Sequence, residues 1–228
     1  MTSSAGVGEH DLSVSVQDYA KAIYALAQRT GGSVSTSALA ERLGVSAASA
    51  SAMVKRLGAL GLARRRPYRG VTLTPAGERV ALEVIRHHRL LELYLAEALG
   101  MSWDRVHEEA EVLEHAISPE LSELIAHALG DPTRDPHGDP IPSADGELHD
   151  EPTRALAELE PGEGGTLVRV SDSDPEMLRY LSRRGISPGD RFEVLGREPF
   201  DGPLSVRFGD RVHRLGGALT RAMRTEAG

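Results

Sequence analysis

Two short helical patterns separated by one glycine restrict this chain more than any other feature. A helix over Ser37–Leu43 stops at Gly44, and a second runs from Ala47 to about Gly61 with Ser46 as its N-cap. Together Ser35–Gly61 reads as helix, tight turn, helix. Upstream, apolar residues at helical spacing (Val16, Tyr19, Ala20, Ile23, Ala27) predict a helix over Ser15–Arg29, ended by Gly31-Gly32. Downstream, Leu62–Arg66 and Val71–Thr74 read as two strands around Pro67-Tyr68-Arg69-Gly70, a hairpin placed where a wing would be.

The rest of the chain changes character twice. Thr74-Pro75 opens a long helix reaching towards Leu99, Ser102 is expected to cap another to about Ile117, and Ser118-Pro119 starts a third that ends near Gly130. Residues 131–151 are proline-rich and acidic without periodicity, and read as a linker or extended loop. Strand-like runs follow (Thr166–Val170, Arg191–Leu195, Leu204–Phe208, Arg211–Leu215) with one helix, Pro175–Arg184, among them, and a small SH3-like β-barrel is the simplest closure. The expected fold is therefore mainly α with small β: a winged helix-turn-helix over 1–75, a helical domain over 76–145, a linker over 146–160 and an SH3-like domain over 161–228.

Charge follows the same divisions. The net charge is −8, yet residues 1–75 hold nine Lys and Arg against four Asp and Glu, and residues 76–150 hold five against seventeen. A basic head suits phosphate and an acidic body suits cations. Cysteine is absent, which excludes disulfides and thiolate chemistry. No apolar run reaches the roughly 18 residues of a membrane span, and no signal-peptide pattern is present, so a cytoplasmic protein with no membrane partner is expected.

The second helix of a helix-turn-helix enters the major groove with its N-terminal residues nearest the bases. Here Ser46, Ala48, Ser49 and Ser51 offer hydroxyls and methyls at close backbone approach, while Lys55 and Arg56 sit one to two turns on, where phosphates lie. Arg64, Arg65, Arg66 and Arg69 add a basic hairpin, with Tyr68 as a packing residue. A solvated arginine face is the plain alternative for such a run; its place directly after a helix-turn-helix favours double-stranded DNA.

Two stripes of ligand-type residues mark the following helices. His88 and Glu92 are four apart, and His107, Glu111, Glu114 and His115 fall at i, i+4, i+7 and i+8, so each set shares a helix face. Carboxylates desolvated where helices pair are costly unless a cation neutralises them, which points to a divalent ion. The zincin pattern is excluded because Glu111 stands where its second histidine would be. An EF-hand is excluded because Pro142 falls at the bidentate position of the Asp131–Asp135–Asp139 run. A helical metalloenzyme would leave the winged helix without a purpose, and no nucleophile stands apart from the ligands, so no enzyme is expected. His10, His87, His127, His137, His149 and His213 lack comparable partners and are read as surface or loop residues.

The order of winged helix, HHRLLE (87–92), VHEEAEVLEH (106–115) and HGDPIP (137–142) resembles the diphtheria toxin repressor family of iron- and manganese-dependent regulators, over residues 12 to 224. The resemblance implies a homodimer formed by the helical domain, with a FeoA-like C-terminal domain, that binds an inverted-repeat operator and represses metal-uptake genes. It assigns a primary metal site to Asp18, Glu111, Glu114 and His115, and an ancillary site to His88, Glu92 and His107, giving two sites per subunit. Asp172 and Glu176 are candidates for further ancillary ligands, although acids at a helix start also serve as caps, and Asp174 is the expected N-cap. Iron-type members carry methionine and cysteine where this chain has Asp18 and Glu111. Two carboxylates harden the site and favour Mn²⁺, with Fe²⁺ as the alternative. One departure stands out: the two-domain manganese regulators have a second carboxylate three residues after the first-helix ligand, and this chain has Lys21 there.

Overall fold

Helix caps and glycine stops set the element boundaries of the first part of the chain. A computed structural model describes residues 12–66, 70–200 and 202–227; Tyr68, Arg69 and His10 lie outside the described residues. Helix α1 (Val14–Thr30) is closed by Gly31, whose left-handed φ of 69° lets its N–H reach the Ala27 carbonyl at 2.9 Å. Helix α2 (Thr36–Arg42) and helix α3 (Ala47–Ala59) are capped by Ser35 and Ser46, whose hydroxyls accept the Ala38 and Ser49 N–H groups, each at 3.1 Å. Strands β1 (Ala63–Arg66) and β2 (Gly70–Leu73) pair antiparallel, and Val34 bridges to Val71 through two backbone hydrogen bonds of 2.9 and 2.8 Å. The arrangement is a winged helix-turn-helix. Val16, Ile23, Leu39, Ala50, Val54, Leu57 and Val71 fill its core, joined by Val80 and Ala81 from the start of helix α4 (Pro75–Glu97).

The chain forms two compact units, one containing residues up to His87 with Pro142–Glu147, the other His88–Ile141 with Leu148 onward. In the second unit, helix α5 (Val106–Leu113) and helix α6 (Pro119–Ala128, capped by Ser118) pack with Leu90, Leu91 and Leu93 of α4 around Ala110, Ile125 and Ile141. The remainder is an antiparallel sheet of strands β3 (Arg154–Ala155), β4 (Gly164–Val170), β5 (Arg191–Arg197), β6 (Leu204–Phe208), β7 (Arg211–Leu215) and β8 (Met223–Ala227) in the order β3-β8-β4-β5-β6-β7. Helix α7 (Pro175–Ser182) and helix α8 (Gly217–Ala222) cover a core of Leu156, Leu167, Leu178, Leu181, Val194, Val206 and Met223. This is the SH3-like domain.

Several expectations are corrected. Helix α5 begins at Val106, not at Ser102, because Trp103 turns aside to donate its indole N–H to the Ser182 hydroxyl (2.5 Å) and Asp104 pairs with Arg179 (3.1 Å). It also ends at Leu113, which leaves Glu114 and His115 on the turn beyond. Residues 131–141, expected as a linker or extended loop, form a loop, but a packed one: Asp135, His137, Gly138, Pro140 and Ile141 are buried. His87 is buried as well, so neither it nor His137 is a surface residue. Strands β3 and β8 and helix α8 were not expected.

The wing is locked to α4 by a close backbone approach. Thr74 donates its N–H to the Leu62 carbonyl (2.9 Å) and its hydroxyl to the Gly61 carbonyl (2.7 Å), and a Cβ on Gly77 would collide with the Leu62 carbonyl oxygen. Gly77→Ala is expected to lower stability by about 1–3 kcal/mol, the usual penalty of overpacking. Gly32→Ala, with nothing within 4 Å of its added Cβ, is expected to be neutral. Chemical denaturation of both variants checks the difference; equal midpoints would count against the lock.

Candidate metal centre and nucleic-acid surface

The metal-ligand types collect on α4 and α5 because their apolar faces pair there and carry His88, Glu92 and Glu114 inward. His88, Glu92 and Glu114 are buried, with Glu92 and Glu114 each at 1% exposure. His88 stands between them. Its Nδ1 lies 2.5 Å from Glu114 Oε2 and its Nε2 lies 3.0 Å from Glu92 Oε1. His107 Nδ1 is 3.1 Å from Glu92 Oε1 and 3.1 Å from Asp172 Oδ2. Glu111 is exposed, with Oε1 4.0 Å from His88 Nδ1 and 3.9 Å from His107 Nε2. His115 Nε2 is 3.4 Å from Glu114 Oε1.

One residue of this cluster was missed in the sequence. His137 is fully buried (0% exposed), its Nε2 lies 2.7 Å from the Trp103 carbonyl, and its Nδ1 faces Glu92 Oε2 at 3.7 Å. That distance exceeds a hydrogen bond, so Nδ1 is a buried polar atom without one. The loop is built to hold it there: Asp135 Oδ1 accepts the His137 and Asp139 N–H groups at 2.8 and 2.9 Å. Gly138, at φ 89°, sits so close to the Val168 carbonyl that no Cβ fits. The signal lay in the Asp-Pro-His-Gly-Asp-Pro run, where an Asx-type turn and a left-handed glycine make a rigid presentation of one imidazole.

The electrostatics show a centre balanced by protons. Burial alone would raise the Glu92 carboxyl, but hydrogen bonds from His107 and His88, with the His137 imidazole close by, outweigh it and hold the group far below the usual carboxylate range. Hydrogen bonds to Asp172 and Glu92 push His107 up to about 10. Burial would lower His137, yet Glu92 and Asp135 push it up to about 9. Burial raises Asp135 to about 8, with Asp139 adding to the effect. Glu92, His107, His137 and Asp172 thus carry a surplus of carboxylate whose balance is made by imidazolium protons, and a cation can take their place.

Among the described residues of this unit, three groups bring ligand atoms within 4.8 Å of one another: His88–Glu92–His107, His88–Glu111–Glu114 and Glu92–His137–Asp172. The donors are oxygen and nitrogen throughout, and the orphaned His137 Nδ1 is a lone pair or proton in want of a partner. The set fits a divalent cation of the harder kind. Glu176 is exposed at the start of α7, and its N–H is taken by Asp174, the observed N-cap. Asp18 sits half-buried on α1 in the first unit, one turn before Lys21.

The winged helix presents a different surface. Ser46, Ala48 and Ser49 at the start of α3 are exposed, Ser51 is half-buried, and Lys55 and Arg56 are exposed further along. Ser46 is committed in part to capping, and its hydroxyl lies 2.8 Å from that of Ser49. Arg64, Arg65 and Arg66 project from β1. Among the described residues, no helix is long and apolar enough to cross a membrane.

Comparison with known proteins matches each domain of the chain. Residues 11–71 match the N-terminal DNA-binding domain of iron-dependent repressors, residues 74–143 their metal-binding and dimerisation domain, and residues 154–223 the FeoA domain. The chain is 32% identical over 227 residues to the diphtheria toxin repressor of Corynebacterium efficiens, covering 95% of this chain and 96% of that one. It is 31% identical to the iron-dependent repressor IdeR of Mycobacterium leprae over 198 residues, 81% of this chain and 85% of that one. Among solved structures, a manganese-dependent transcriptional repressor in complex with manganese superposes with a TM-score of 0.85 at 45% identity, covering 93% of this chain and all of that one (100%). The manganese regulator SloR superposes with a TM-score of 0.73 at 31% identity, over 93% and 98% of the two chains. The chain belongs to the diphtheria toxin repressor family: it is a metal-dependent, DNA-binding transcriptional repressor with a dimerisation domain, and not an enzyme.

Proposed function

We propose that this chain is a manganese-responsive repressor of metal-uptake genes, acting in the cytoplasm as a homodimer on an inverted-repeat operator. The observation that carries the metal assignment is the donor set. Glu111, Glu114 and His88 offer only oxygen and nitrogen donors; at Asp18 and Glu111 the iron-type pattern places sulfur, and hard donors favour Mn²⁺ over later metals. The likeness to a manganese-dependent repressor supports it; the likeness to an iron-dependent repressor keeps Fe²⁺ as the alternative. In this reading Asp18, Glu111, Glu114 and His115 hold a primary ion, and His88, Glu92, His107 and Asp172 hold an ancillary one. His137 adds a further ancillary ligand. When bound, the ion supplies positive charge that the carboxylates would otherwise draw from protons. It acts on DNA binding only if it binds the operator-competent arrangement more tightly than the other.

The direct experiment is operator binding by the metal-free protein titrated with Mn²⁺, anaerobic Fe²⁺, Co²⁺ and Zn²⁺. Asp18→Met together with Glu111→Cys is expected to move the order of activation away from Mn²⁺ towards Fe²⁺ and softer ions. An unchanged order would sink the manganese assignment.

The wing arginines are expected to meet phosphate. Arg65→Ala with Arg66→Ala should weaken operator and random duplex alike, and reduce the log–log salt slope by ~0.9 for each lost phosphate contact. Loss of sequence preference at an unchanged slope would reverse the assigned roles.

Dimerisation leaves its own trace on α5 and α6. Val112 is 73% exposed and Leu124 60%, with Leu121 and Leu113 also exposed, an apolar surface without cover in the single chain. Val112→Glu with Leu124→Glu should give a monomer by analytical ultracentrifugation and lose tight operator binding. A dimer of unchanged stability would place the interface elsewhere.

A further inference from the structure

His88 belongs to two ligand groups at once, one through each ring nitrogen. Nδ1 lies with Glu114 Oε2 (2.5 Å) and Glu111 Oε1 (4.0 Å). Nε2 lies with Glu92 Oε1 (3.0 Å) and His107 Nδ1 (3.1 Å). Both groups have ligand atoms close enough to hold an ion, and both depend on this one ring. The ring is buried and lies edge-on to His107 with centroids 4.8 Å apart, with one nitrogen facing each group.

We propose that His88 is a shared ligand that couples the two metal sites, an inference that rests on the metal-binding reading above. A neutral imidazole carries one lone pair and one N–H. When an ion on the Glu111–Glu114 side takes Nδ1, the proton resides on Nε2 and is donated to Glu92. That hydrogen bond fixes the Glu92 carboxylate, as outer partners of metal ligands do, and withholds His88 from an ion on the Glu92 side. The second ion is then left with Glu92, His107, His137 and Asp172. When the ion sits on the Nε2 side first, Nδ1–H is instead donated to Glu114 and is withheld from the first site. Occupancy of either site sets the tautomer of one ring, and the tautomer sets what the other site receives.

The test is a double-mutant cycle on Mn²⁺ affinity, read by calorimetry and by loss of the free six-line Mn²⁺ resonance, with no DNA present. In the parent chain, Glu92→Gln is expected to change the affinity of the remaining site several-fold, although it is not a ligand there. In the His88→Gln background the same substitution should leave that affinity unchanged, and His88→Gln alone should weaken both binding steps by about tenfold or more. An equal effect of Glu92→Gln in the two backgrounds, or a single weakened step in His88→Gln, overturns the sharing. Because His88 is buried, a second measurement uses the parent chain. With histidine ¹⁵N-labelled and one equivalent of diamagnetic Zn²⁺ added, the two His88 nitrogens should separate into a metal-bound and a protonated type; two unchanged nitrogens overturn the proposal. A parent chain that binds no divalent ion at all would fail the proposed function itself, whereas two ions bound without coupling would fail only the role of His88.

Discussion

A carboxylate almost wholly removed from water has to be matched by positive charge, and Glu92 is matched by imidazoles from three parts of the chain. His88 comes from its own helix, His107 from α5 and His137 from the loop before the sheet. An unpaired carboxylate in that place would be prohibitively costly. Taken together, the four residues tie α4, α5 and the 131–141 loop to one point, and Asp172 extends the tie to the segment after β4 through His107. The body of the second unit is organised around this carboxylate, and a divalent cation can take the place of the imidazolium protons that balance it.

A second polar layer holds the first in place. Arg89, next to His88 on α4, reaches the Pro140 carbonyl and lies 3.6 Å from Asp139, which is also 3.4 Å from Arg169 on β4. Asp135 spends one oxygen on the turn that presents His137 and lies 3.9 Å from Arg89 with the other. Half-buried ion pairs such as Arg89–Asp139 and Arg169–Asp139 give little net stability, because desolvation and solvent screening cancel much of the attraction. Their effect here is geometric: they fix the loop in one register against α4 and β4.

The sequence made the helical head legible because its signals are local. Ser46, Ser118 and Asp174 cap helices where a polar side chain precedes an apolar period, and Gly44 ends one where φ must be positive. The spacing of His88 and Glu92 was legible for the same reason, since i, i+4 spacing needs only one helix, whereas Glu114 and His115 lie on the turn beyond α5. His137 was not, because its burial is decided by Trp103, Val168 and Glu92, all distant in sequence. Strand β8 escaped for a related reason. Met223-Arg-Thr-Glu-Ala alternates only weakly, and Thr225 is buried as a polar residue whose hydroxyl donates to the Arg154 carbonyl at 3.1 Å. The late start of α5 also depends on a distant partner, Ser182.

The strand order β3-β8-β4 has a bearing on how the protein is made. The strand synthesised latest in the sheet is inserted between the two synthesised earliest, so the sheet cannot close until β8 has emerged. The winged helix draws its core from residues 16 to 81 and has no such requirement. A chain whose synthesis has not reached β8 can therefore complete its winged-helix core while β4 still lacks one of its two strand neighbours. Closure of the sheet waits on the strand made last, and closure of the winged helix does not.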